Sequence, residues 1–158
     1  MKTLKRVLIA SLFIAINVHL TLAMAQNEAK NASEDALGSC PAPDEMTALH
    51  LYGTWQVSWA GLNGSATLSL ARNPDYPDGV RGSISRAVGL APPEALVAGD
   101  VDKGVFTLDE STDGKAISAI WSGEVVAGSC GRQITGIWTR TSDRAEHRFV
   151  LRRQSGWN

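Results

Sequence analysis

The sequence predicts an all-β protein, an eight-stranded antiparallel up-and-down barrel, with a two-sheet β-sandwich as the alternative. Three observations carry that expectation. Eight short segments after Leu49 alternate apolar and polar residues with period two, the pattern of strands with one buried face. The joints between them hold Gly, Pro, Asn and Asp, which fix bends or tolerate positive φ. No stretch of twelve or more residues in this region shows a helical period free of Gly and Pro. Short joints favour antiparallel neighbours, and closing the meander removes the unpaired edges that an open sheet would leave.

Gly53 to Ala60 is the first strand, with Trp55, Val57 and Trp59 on one face and Thr54, Gln56 and Ser58 on the other. Residues Gly61 to Gly64 form the bend into Ser65 to Ala71, where Ala66, Leu68 and Leu70 alternate with Thr67 and Ser69. Asn73-Pro74-Asp75 and Pro77-Asp78-Gly79 precede Val80 to Arg86, and Pro92-Pro93 precedes Ala95 to Val101. Asp102-Lys103-Gly104 is a tight turn into Val105 to Asp109, and Asp113-Gly114 joins that strand to Ala116 to Ser122. Arg132 to Thr139 and Glu146 to Arg152 complete the eight.

The flanks read differently. Lys2, Lys5 and Arg6, an apolar run from Val7 to Leu22 and the small residues of Ala23-Met24-Ala25 make residues 1–25 a secretory signal peptide cleaved before Gln26. The apolar run holds Asn17 and His19 and falls short of the roughly 20 residues of a spanning helix, so no membrane partner is expected after cleavage. Residues 26–48 read as a flexible lead-in, 49–153 as the barrel domain and 154–158 as a tail. The full chain has 15 Lys+Arg and 16 Asp+Glu; losing Lys2, Lys5 and Arg6 leaves 12 bases against 16 acids, a formal −4. With no run of like charge, nothing marks a nucleic-acid partner. The expected location is periplasmic or secreted.

Export gives the only two cysteines a meaning. In an oxidising compartment Cys40 and Cys130, with no zinc-type spacing around them, form a disulfide. That bridge closes a loop of about 90 residues, worth roughly 4–5 kcal/mol in the chain-entropy model. For catalysis the mature chain offers only His50 and His147 and no Gly-x-Ser-x-Gly elbow, so no catalytic residues and no enzyme are expected. Asp109-Glu110 and Asp100/Asp102 lie beside turns and read as solvated carboxylates rather than a glycosidase pair. Asp109, Ser111, Asp113 and Gly114 follow the start of a calcium loop, but Ile120 stands where its closing Glu belongs; a hairpin turn is the simpler reading, and no metal or cofactor is expected.

Five tryptophans are more informative, because Trp55, Trp59, Trp121 and Trp138 all fall on expected strands. A small barrel can use such indoles as core or as the walls of a ligand pocket. Gly53-Thr54-Trp55, the run Trp121-Ser122-Gly123-Glu124-Val125-Val126-Ala127-Gly128, the segment Ile134-Thr135-Gly136-Ile137-Trp138 and Gly82 to Gly89 together resemble the avidin and streptavidin family of calycin barrels. The resemblance covers roughly Gly53 to Leu151, and the placement of Cys40 and Cys130 is similar to the avidin disulfide. It implies a ligand pocket at the open end of the barrel, a homo-oligomer, and biotin as the family ligand.

Carried onto this chain, the resemblance makes Trp121 and Trp138 aromatic walls, with Trp59 beside them. The polar positions depart from the family. Val57 stands for Asn, Ile84 for Tyr and Arg86 for Ser; Ile117 and Ala119 replace hydroxyl residues, and His147 lies near the family's Asp. Biotin's ureido group would then lose partners at roughly 1–3 kcal/mol each. The expectation is a non-enzymatic barrel that takes a small, partly apolar molecule between Trp121 and Trp138 without tight biotin binding. Its alternatives are a protein-interaction module such as a protease inhibitor, docking through the segment before Cys40, and a less favoured enzyme using His147 and Arg86.

Overall fold

In a computed structural model, which describes residues 40–87, 90 and 92–155, alternation of side chains produces a closed sheet. The strands are β1 (Gly53–Trp59), β2 (Ser65–Arg72), β3 (Val80–Arg86), β4 (Glu94–Asp102), β5 (Val105–Ser111), β6 (Ala119–Val125), β7 (Gln133–Arg140) and β8 (Glu146–Arg153). Each pairs antiparallel with its neighbour in sequence, and β8 closes on β1 with Val57 opposite Leu151. The eight-stranded up-and-down barrel is therefore the fold, not the sandwich. The expected signal peptide and its cleavage point, residues 26–39 and the last three residues of the tail lie outside the described residues.

Period two decides what is inside. Trp55, Val57 and Trp59 of β1, Leu68 of β2, Ile84 of β3, Phe106 and Leu108 of β5, and Leu151 of β8 are all buried in one core. Polar neighbours such as Ser69, Thr107 and Ser122 face outward. Gly123 and Gly136 face each other across β6 and β7. A Cβ on Gly136 would collide with the Ser122 carbonyl, and one on Gly123 would reach within 3.0 Å of the Phe149 ring. The bareness of Gly123 lets Phe149 lie 4.9 Å, centroid to centroid, from Trp121.

β6 begins three residues later than its apolar pattern suggests. The reason is the Asp113 side chain, which accepts from the backbone N–H groups of Lys115 (2.8 Å) and Ala116 (2.9 Å) and folds those residues into the turn. Ladder pairing starts only at Ala119, opposite Glu110. The N–H donors of Ala116 and Lys115 hold the Asp113 carboxyl below its ordinary value of 3.8. A depressed folded-state value stabilises above the unfolded one and is lost on acidification. The difference in Tm between the native chain and Asp113→Ala is thus expected to persist well above pH 3.8 and to close as pH falls below it, as thermal melts across that range would read.

Below the barrel, the chain from Cys40 onward is packed rather than loose. A 3-10 turn (Pro43–Glu45) and one helical turn (Ala48–Leu51) place Met46, Ala48 and Leu51 in the core. Glu45 accepts from the Ala42 N–H at 2.8 Å, and Thr47 N–H donates to His50 Nδ1 at 3.0 Å. The Trp55 indole N–H donates to the Leu51 carbonyl at 2.9 Å, sealing this end. Cys40 and Cys130 lie at disulfide distance, with Cα atoms 4.5 Å apart. Arg153 donates to the carbonyls of His50 (2.9 Å) and Tyr52 (2.7 Å) while its guanidinium stacks 5.9 Å from the Trp55 ring. Arg153→Ala is expected to lower stability by about 1–2 kcal/mol in a urea melt, through charged hydrogen bonds that are partly solvent-screened.

Candidate functional site

At the opposite end, which we call the mouth, strand geometry brings distant residues together. β1 ends at Trp59, β3 at Arg86 and β5 at Ser111, while β6 and β8 begin there. The inward positions of that level are Trp59, Ala66, Arg86, Ala95, Glu110, Ala119, Trp138 and His147. Three alanines leave room for two long charged side chains.

Those side chains meet inside the barrel. Arg86 Nη2 donates to both carboxylate oxygens of Glu110 at 2.7 Å, and the side chains are only 4% and 1% exposed. Arg86 Nη1 also donates to the Pro92 carbonyl at 3.2 Å. Glu110 Oε2 accepts two indole N–H groups, from Trp121 and Trp138, each at 3.1 Å. Both carboxylate oxygens are engaged, by donors from β3, β6 and β7. Such an arrangement offsets the desolvation of two buried charges, which an unsupported pair would not.

Around the pair the rings interlock. Trp59 lies 5.7 Å from Trp121 and 6.4 Å from Trp138, and Trp121 lies 6.5 Å from Trp138, the last two contacts edge to face. The Arg86 guanidinium sits 5.7 Å from the Trp59 ring centroid. His147, half-buried, lies 5.8 Å from Trp138. Leu62 and Leu90, from the β1–β2 and β3–β4 loops, pack on the core as a partly buried apolar rim. One polar atom stands out: Trp59 Nε1 is buried with no hydrogen-bond partner among the described residues. An unmet buried donor costs about 1–3 kcal/mol.

Five of the residues singled out from sequence, Trp59, Trp121, Trp138, Arg86 and His147, thus come together at the mouth. Val57 and Ile84 lie one inward step deeper, fully buried in the core. The gap between the Trp121 and Trp138 N–H groups is filled by Glu110, and Trp121 is entirely covered, so Trp121 forms the floor of the site. Glu110 itself corrects an expectation: beside a turn it reads as solvated, yet it is buried. Its parity with Phe106 and Leu108 on β5 is the signal that could have revealed it. Ile117 is exposed in the β5–β6 turn, outside this cluster. The chain matches no protein-family model and none of the curated proteins, which leaves the geometry of the mouth to support a functional reading.

Proposed function

We propose that the protein is an exported, non-enzymatic barrel that binds a small, partly apolar molecule at its mouth, avidin-like in fold but without tight biotin affinity. The observation that carries this reading is the buried polar cluster of Arg86, Glu110, Trp121 and Trp138, crowned by the unmet N–H of Trp59. A core needed only for folding does better with hydrophobic residues of similar volume than with a buried ion pair. Departures from that economy concentrate at functional sites. The ligand would rest on Trp59, Trp138 and His147, with Trp121 and the ion pair beneath. Export is supported by the signal-like residues 1–25 and by a cysteine pair at disulfide distance. Titrating biotin and a series of apolar ring compounds while following tryptophan fluorescence tests the reading. Saturable quenching by at least one ring compound, with weak or no response to biotin, is expected; silence for all of them refutes it.

An interaction module such as a protease inhibitor is the second reading, favoured by one observation. Leu96 and Ile117, 58% and 48% exposed, line a groove of about 490 Å³ on the outer face of β3–β5. Should this face or the segment before Cys40 dock a protease, Leu96→Asp or deletion of residues 26–39 would abolish inhibition in a protease assay.

A further inference from the structure

The ligand class can be narrowed from charge and hydrogen-bond complementarity at the mouth, an inference that rests on the binding reading above. Charge comes first. Arg86 and Glu110 neutralise each other in a volume nearly closed to water, and Arg140, whose guanidinium lies 5.9 Å from the Trp138 ring, is bound to Asp143 at 3.1 Å. A charged ligand pressed against this neutralised pair would bring in a charge that neither Arg86 nor Glu110 is free to compensate, at a large desolvation cost.

Polarity comes second. Glu110 Oε2 already accepts from Arg86, Trp121 and Trp138, and Oε1 from Arg86. With Glu110 only 1% exposed, its carboxylate is out of reach of a ligand N–H or O–H. Trp59 Nε1 is the reverse case, a buried donor with nothing to donate to. An indole N–H can only donate, so its complement must be an acceptor. Around that donor lie Trp59 and Trp138, 6% and 8% exposed, the partly buried Leu62 and Leu90, and the half-buried His147 imidazole beside Trp138.

We infer that the mouth selects an uncharged, largely apolar ring compound bearing a carbonyl-type oxygen, such as a cyclic ketone or lactone. The Trp59 N–H donates to that oxygen, while the ring stacks against indole faces. Selectivity thus comes from one donor that only the right ligand satisfies; a hydrocarbon of the same shape leaves it orphaned.

Four compounds of one bicyclic frame separate the possibilities: 1-tetralone, tetralin, 1-tetralol and tetralin-1-carboxylate, titrated against the full mature chain by calorimetry and fluorescence. Tetralone is expected to bind about 10-fold more tightly than tetralin, since a satisfied buried donor is worth on the order of 1 kcal/mol or more. The carboxylate should bind weakest, and Trp59→Phe, which keeps a ring and removes the N–H, should bring the tetralone-to-tetralin ratio close to one. Near-UV circular dichroism checks that the variant keeps its packed interior, and the ratio in the native chain stands independently of the variant. Equal affinities for tetralone and tetralin, tightest binding of the alcohol or carboxylate, or a ratio untouched by Trp59→Phe in a folded variant overturns the ligand class while binding itself stands. No binding by any of the four, nor by the wider ring series, overturns both.

Discussion

Glu110→Ala is expected to destabilise the barrel by about 3–5 kcal/mol, because it strands a buried guanidinium and two indole donors in one stroke. Among the described residues Arg86, 4% exposed at its side chain, would keep only the Pro92 carbonyl, while Trp121 and Trp138 would each lose the one acceptor of their N–H groups. Urea denaturation followed by tryptophan fluorescence reads the loss. Removing both charges is a different matter. Arg86→Met combined with Glu110→Leu replaces the pair with apolar groups of similar bulk and is expected to recover most of that loss, in the way that buried ion pairs often yield to packed hydrocarbon. A single variant that costs under about 1 kcal/mol would mean that Arg86 reaches water and that the cluster is not the sealed element described above.

Opening the Cys40–Cys130 link is expected to cost about 4 kcal/mol, the second large effect. The linked residues are separated by 90 positions, and freeing so long a loop restores much chain entropy to the unfolded ensemble. The tether also holds the segment that carries Met46, Ala48 and Leu51 against the end of the barrel opposite the mouth. Cys40→Ser with Cys130→Ser should melt at lower urea concentration than the native chain, and added reductant should reproduce that shift in the native chain while leaving the double variant unchanged. Equal midpoints with and without reductant would contradict the account. Binding at the mouth should survive wherever the chain remains folded, since the cysteines lie at the far end.

The fold was legible because period two is strict. In β1 every inward residue is apolar, so seven positions suffice to set its face. β6 begins three residues past the start of its alternating segment because alternation cannot tell a strand from an ordered turn; the difference lies in Asp113 binding the backbone of residues 115 and 116, a contact with no apolar signature. Residues 26–48 read as a lead-in because Met46 and Ala48 are too few to form a period; within its described part these two pack into the core. At the mouth, Trp59, Trp121, Trp138 and Arg86 could be found from residue type and resemblance. Glu110 was hidden by its neighbour, since Asp109 beside a turn suggests solvent for both, whereas strand parity sends Asp109 out and Glu110 in.

Binding at the mouth through Trp59 is tested most directly by the indole N–H resonances of ¹⁵N-labelled protein titrated with 1-tetralone. The Trp55 donor is bound to the Leu51 carbonyl and those of Trp121 and Trp138 to Glu110, which leaves Trp59 as the one described indole free to answer a new acceptor. The account predicts a saturable downfield movement of the Trp59 resonance, assigned by its loss in Trp59→Phe, with Trp55 still. A Trp59 resonance that stays in place at saturating ketone, or that moves no further than that of Trp55, would contradict it.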